Sequence, residues 1–174
     1  MFLDLVRKRR SIRLFKDKEV EEEKVNKLIQ AVLMSPSSRN IKPWNFIIVK
    51  DREMLNKLSK SKEHGSLFLK NANLGVVVFS DKDQSDVCVE DASIASIYLQ
   101  LAAESLGLGS CWIQIRKREH NSLQTADEYV SKLLNISDNF EVESIIAIGY
   151  PDEERRPYNI KDLDYSKVYQ ETFK

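Results

Sequence analysis

The chain has 174 residues, 42% hydrophobic and 31% charged, with 27 basic and 27 acidic side chains that leave it formally neutral. That balance belongs to an ordinary soluble globular protein, long enough to bury a core. Neutrality argues against broad attraction to nucleic acid or a membrane surface, and no apolar run reaches the length of a bilayer span.

Residues 1–10, MFLDLVRKRR, read as a short helix with Phe2, Leu5 and Val6 on one face. Charge follows a very short apolar stretch containing Asp4, the wrong order and length for a secretory signal. Residues 11–15, SIRLF, read as extended. Over 20–34 apolar groups recur at Val25, Leu28, Ile29, Val32 and Leu33, which predicts an amphipathic helix. Its first turn holds Glu21, Glu22 and Glu23, where the helix dipole favours negative charge. Two prolines and three serines make SPSSRNIKP, 35–43, a loop.

Strands are predicted at 44–50 and 74–80, with a short helix over DREMLNKLSK between them. The second strand is nearly all apolar, so it belongs in the middle of its sheet. The longest helical pattern runs from about Val87 to Gly107. Ala92, Ala95, Tyr98, Leu99, Ala102 and Leu106 keep helical spacing there, and Gly107 caps the end. A strand at 110–115, a helix over TADEYVSKLLN with Thr125 or Ser122 as its cap, and a strand at 142–150 follow. The tail from Asp152 is polar, with Tyr158, Leu163, Tyr165, Val168 and Tyr169 as anchors. Such a tail folds only where its own domain or a partner subunit receives it. No repeat or interior linker interrupts this order, so residues 1–174 are expected to form one α+β or α/β domain.

Cys88 and Cys111 form no CxxC pair and are too few for a disulfide framework. His64 and His120 lie far apart, which leaves little material for zinc. A reduced, cytoplasmic protein is expected.

Four stretches could carry chemistry. RKRRSIRLF, 7–15, concentrates five basic residues. It reads either as a solvated basic helix end or as an oxyanion site. In extended backbone Ser11 and Arg13 point to the same side, and guanidinium forks beside a hydroxyl suit a phosphate. SPSSRNIKPW, 35–44, is a turn-rich loop, or a loop whose Ser37, Ser38 and Asn40 read the edge of a heterocycle; this stretch alone decides neither. GLGSCW, 107–112, is no dinucleotide fingerprint, because its glycines follow a helix and precede a strand. GYPDEERRPYNIK, 149–161, holds a second basic group, Arg155, Arg156 and Lys161, an exposed loop by default. Without a GxSxG, P-loop or HExxH motif, the pattern suggests that a bound cofactor carries the chemistry.

Taken together, RRSIRLF, SPSSRNIKPW, GLGSCW and IGYP with its basic tail resemble the FMN-dependent nitroreductase family, in its compact form and over nearly the whole chain. The resemblance implies an α+β fold with a central mixed, mostly antiparallel sheet between helices and a C-terminal tail that embraces the partner subunit. It also implies a homodimer with two FMN sites at the subunit interface. NADH or NADPH would be the electron donor, in ping-pong turnover through flavin N5. The acceptor would be a small molecule such as a nitroaromatic or a quinone.

By the same resemblance, Arg9 and Ser11 hold phosphate or ribityl oxygens with Arg10 contributing, and Arg13 sits near flavin N1 and O2. Pro36, Ser37, Ser38 and Asn40 reach in from the other subunit. Lys161 gives a second phosphate contact, with Arg156 as the fallback. Many larger members carry a Glu-Gly pair near N5; here the chain reads WIQIRKREHN, and an amide around Ile113 or Gln114 is expected instead. Residues 61–70 often touch the flavin in the family, although His64 reads as an exposed loop histidine. The alternative is a flavin carrier or sensor of the same fold without efficient turnover.

Overall fold

The computed structural model describes residues 1–173. In chain order it contains α1 (Phe2–Lys8), α2 (Glu22–Leu33), β1 (Trp44–Val49), α3 (Arg52–Leu58), β2 (Leu74–Asp81), α4 (Cys88–Ser105), β3 (Gly109–Gln114), β4 (Glu119–Asn121), β5 (Gln124–Thr125), α5 (Ala126–Leu134) and β6 (Phe140–Gly149). The main sheet runs β1-β2-β6-β3 with every neighbouring pair antiparallel. Its parallel component is the bridge between Ser11 and Ser110, which lays the stretch after α1 alongside β3. The fold is the α+β arrangement expected, with a mixed, mostly antiparallel sheet.

Side chains alternate across the strands and fill two layers. On one face Val77, Ile113, Ile145 and Ala147 meet Leu55 and Leu58 of α3, Leu69, and Ala126 and Val130 of α5. On the other, Leu74, Val76, Val78, Ile146 and Ile148 meet Val25, Leu28 and Val32 of α2 and Ala92, Leu99 and Ala103 of α4. β2 and β6 are central and nearly wholly buried, which is why they read as apolar runs. Each fully buried leucine stabilises the fold by roughly 2 kcal/mol.

Local signals fix the ends of the elements. Thr125, not Ser122, caps α5: its hydroxyl accepts from the Glu128 N–H while Glu128 reaches back to the Thr125 N–H, a capping box. α5 stops at left-handed Asn135, and Gly107, at φ 72°, turns the chain from α4 into β3.

α4 is apolar on both sides. Ala92, Ala95, Leu99 and Ala103 pack on the sheet, while Ile94, Ile97 and Tyr98 remain 37–41% exposed on the outer side. Phe2 and Leu3 of α1, and Leu33 and Met34 at the end of α2, add exposed apolar surface. A helix apolar all round is usually buried all round. The tail is exposed throughout 154–173. No described helix is long and apolar enough to cross a membrane.

Candidate functional site

The open edge of β3 is where the first basic cluster docks. The Ile12 N–H donates to the Ser110 carbonyl at 2.9 Å. Ile12 packs directly over Gly109: a Cβ there would stand 2.8 Å from Ile12 Cγ2. Glycine is what permits this approach.

The docked stretch is extended, so its side chains alternate. Arg9, Ser11 and Arg13 approach Cys111, while Arg10 turns to the tail and Ile12 packs into the core over Gly109. The Ser11 hydroxyl lies near the Cys111 thiol, which donates to the Trp112 carbonyl at 3.6 Å. Burial pushes that thiol up, against Arg13 first, then Ser11, Lys62 and Arg9. Lys62 is half-buried and its ammonium is pushed down, by burial first and by nearby Arg118 second. The Arg13 guanidinium lies 5.8 Å from the centre of the Phe68 ring. Three cations and a hydroxyl therefore converge at the start of β3. Among the described residues none of Arg9, Arg13 and Lys62 forms an ion pair. That composition suits a phosphate-sized anion.

Further along β3 the edge offers backbone donors. Ser110 turns its carbonyl outward to Ile12, and the antiparallel ladder alternates. Trp112 and Gln114 therefore present their N–H groups outward, while that of Ile113 points to β6. Of the two residues expected to offer an amide, Gln114 has its N–H on the open edge, whereas the N–H of Ile113 is turned to β6.

The Gln114 side chain is fixed as well. It accepts from Trp112 Nε1 at 2.8 Å and donates to Glu143 Oε1 at 3.2 Å. Glu143 is the extra residue where the pairing of β2 and β6 shifts, and burial is the main cause that holds its carboxyl above the ordinary range.

Two expected residues lie elsewhere. Alternation turns Arg10 to the opposite side from Arg9, where it donates to the Arg156 carbonyl and stacks at 4.6 Å over Tyr158. Its assignment beside Arg9 and Ser11 is corrected: Arg10 holds the tail. Lys161 rides on an exposed turn, Ile160–Asp162, and within its own chain is not brought to the cluster. The tail meets α1 at Arg7, whose carbonyl accepts from the Tyr158 N–H at 3.0 Å and whose Nε donates to the Tyr158 carbonyl at 3.3 Å.

The loop 35–43 stands apart. Arg39, Asn40 and Lys42 have φ of 52°, 56° and 57°, left-handed backbone that costs roughly 1–2 kcal/mol per non-glycine residue. Anchors hold it there. The Lys42 N–H donates to Ser37 Oγ at 2.8 Å, the Ser38 N–H donates to Asp91 Oδ1 at 2.8 Å, and Arg39 pairs with Asp86. The loop leads into β1, at the sheet edge opposite β3, about 14 Å away at three strand spacings. Along α4 the separation is similar. Asp91 holds the loop, while Glu104, thirteen residues on, stands near Arg9 and Lys8; that is about 20 Å of helix. Pro36, Ser37, Ser38 and Asn40 are therefore not gathered with Arg9, Ser11 and Arg13 inside one chain.

Sequence reasoning missed Lys62 and Phe68. They lie in SKEHGSLFLK, where no periodicity marks an inward side, and the turn at Gly65, φ 81°, brings them back to β3. His64 is exposed, as read.

A model of the nitroreductase family matches residues 6–64 and 56–150. An FMN-dependent nitroreductase of Clostridium difficile R20291 has a similar structure: 49% identity, TM-score 0.97, covering 98% of this chain and 99% of that one. A protein of Archaeoglobus fulgidus with the provisional name NADH dehydrogenase/NAD(P)H nitroreductase is 37% identical over 92% of this chain and 91% of its own length. An iodotyrosine deiodinase of Thermotoga neapolitana is 29% identical over 91% of this chain and 92% of its own.

Proposed function

Because the chain belongs to the nitroreductase family, we propose that it is an FMN-dependent NAD(P)H oxidoreductase that works as a homodimer, with each FMN held where two copies meet. The observation that carries this reading is the convergence of Arg9, Ser11, Arg13 and Lys62, none of whose cations forms an ion pair among the described residues, on an open strand edge. FMN would supply hydride acceptance and donation, chemistry that no side chain here offers.

The residues present fit that group. Arg9 and Ser11 hold phosphate and ribityl oxygens, and half-buried Lys62 joins them, since an anion offsets the desolvation of its ammonium. Arg13 lies at the pyrimidine side, where it stabilises the negative charge that accompanies reduction and so raises the potential. The outward N–H of Gln114 would be the donor available to the flavin ring, with its side chain fixed by Trp112 and Glu143. With FMN bound, NADH or NADPH would be the electron donor and a nitroaromatic, a quinone or a similar small molecule the acceptor.

Three features support the second copy. The loop Pro36–Asn40 and the cationic cluster stand too far apart to meet within one chain. The outer side of α4 presents Ile94, Ile97 and Tyr98 to solvent. The tail carries Lys161 out on an exposed arm, available for the phosphate of another subunit. Cys88 and Cys111 are buried free thiols, which suits the cytoplasm.

Purified protein is expected to be yellow, to release flavin on denaturation, and to bleach when NADH or NADPH is added. Colourless protein that takes up no FMN overturns the reading. Tight FMN with sluggish bleaching would favour a flavin carrier or sensor.

A further inference from the structure

Asp91 lies in the first turn of α4, 2% exposed, and accepts from the Ser38 N–H through Oδ1. Its second oxygen, Oδ2, is buried with no hydrogen-bond partner among the described residues. Burying a carboxylate with half its acceptor capacity unused is costly, and an apolar side chain of similar size would pack at less cost. Stability alone therefore does not explain this residue. Its one strong contact is to the loop, and the loop needs a hold.

Three of the four residues 39–42 have left-handed backbone, a conformation that persists only where the surroundings over-determine it. Two of its anchors are internal, the Ser37 hydroxyl on the Lys42 N–H and the Ser37 carbonyl on the Asn40 N–H. Neither fixes the loop to the rest of the molecule. The Arg39–Asp86 pair does, but its side chains are 63% and 77% exposed, where screening leaves little holding energy. The Asp91–Ser38 bond is partly buried, with Asp91 itself 2% exposed, and charge-assisted, at the helix end where the dipole favours a carboxylate.

We infer that Asp91 is a positioning residue: it fixes the loop Ser37–Asn40 against α4 so that the loop meets the flavin of the opposite subunit. The inference rests on the shared FMN site proposed above. α4 carries the anchor on its inner side and the exposed apolar residues on its outer side, so one rigid helix sets both the subunit contact and the loop that crosses it.

Losing a partly buried, charge-assisted hydrogen bond weakens what depends on it by about tenfold to a hundredfold. Asp91→Ala is expected to weaken FMN binding by that factor. Asp91→Asn, which keeps an acceptor for the Ser38 N–H, is expected to stay within about threefold of wild type. Equal loss in both variants would overturn the positioning role.

Mixed dimers assign the subunit. They are made by co-expressing differently tagged chains, and bound flavin is counted at an FMN concentration that just saturates wild type. A dimer of one Arg9→Ala chain and one Asp91→Ala chain keeps one intact site and binds one FMN. A dimer of wild type with an Arg9→Ala/Asp91→Ala chain binds none. The reverse pattern means that Asp91 serves its own subunit, and one flavin in both dimers means that it serves neither; each result overturns the inference. Should the Asp91→Ala chain fail to assemble, Ser38→Pro removes the N–H that Asp91 holds and takes its place with the same expectations; Ser37, already extended, tolerates a following proline. A wild type that binds no FMN would instead sink the flavin reading itself.

Discussion

The two ends of α4 carry different kinds of site. At its C-terminal end the chain docks its own N-terminal stretch on β3 and gathers Arg9, Ser11, Arg13 and Lys62 around Cys111. What the side chains of Arg9, Arg13 and Lys62 lack, among the described residues, is an ion-pair partner. At its N-terminal end the chain holds a strained polar loop with Asp91 and Asp86 and gives it nothing of its own to bind. One end is a socket and the other a plug, about 20 Å apart along one helix. In the homodimer proposed above, two copies of the chain would put the plug of each into the socket of the other; one copy alone would leave both idle.

The sharpest way to break that comparison is to part the copies. Ile97→Asp places a charge in the middle of the outer side of α4 without touching the core. It is expected to yield folded monomer by sedimentation, with FMN lost from both ends at once.

Next comes the socket alone. Arg9→Ala is expected to weaken FMN binding by about a hundredfold, the upper range for a lost charged contact. Arg13→Ala should weaken it less while lowering the flavin potential and slowing hydride uptake. Titration and potentiometry separate the two variants, and equal effects would dissolve the division of labour between them.

Gly109→Ala attacks the docking itself. Its Cβ meets Ile12 at 2.8 Å, so the stretch 9–13 must lift from β3. Overpacking of this kind costs about 1–3 kcal/mol, readable by urea unfolding, and FMN affinity should fall with it. Thr125→Ala removes the α5 capping box, far from the loop, and is expected to cost about 1 kcal/mol with flavin binding unchanged; a flavin defect there would blur the contrast.

The smallest effect is a pH slope at the β3 edge. Burial raises the Glu143 carboxyl in the folded chain. Its contribution to stability is therefore full below the unfolded carboxylate range and is lost as pH rises through the raised folded value. Glu143→Gln should flatten that fall in urea melts carried out upward from the ordinary carboxylate range, about pH 4.

The socket and the plug were unequally legible in the sequence. Period-2 and period-3.6 patterns foretold all nine major elements in order, because β2, β6 and α4 are apolar where they are buried. The hairpin β4–β5, with strands of three and two residues, is too short for any period to register. Alternation already placed Ser11 and Arg13 on one side. Carried one residue back, the same rule sends Arg10 to the other, and only the docked geometry made that decisive. Lys62 gave no signal, because a turn rather than a periodic element aims it. The plug's residues stood out as a motif, but nothing in SPSSRN points to Asp91, fifty-three residues later than Ser38. Its carboxylate looked like any other in a helix's first turn.

The central claim is that one flavin site is built from two copies, and native mass spectrometry of the protein reconstituted with FMN tests it most directly. The account predicts a particle of two chains with two FMN, and flavin lost together with the dimer in Ile97→Asp. A single chain that retains its FMN would contradict it.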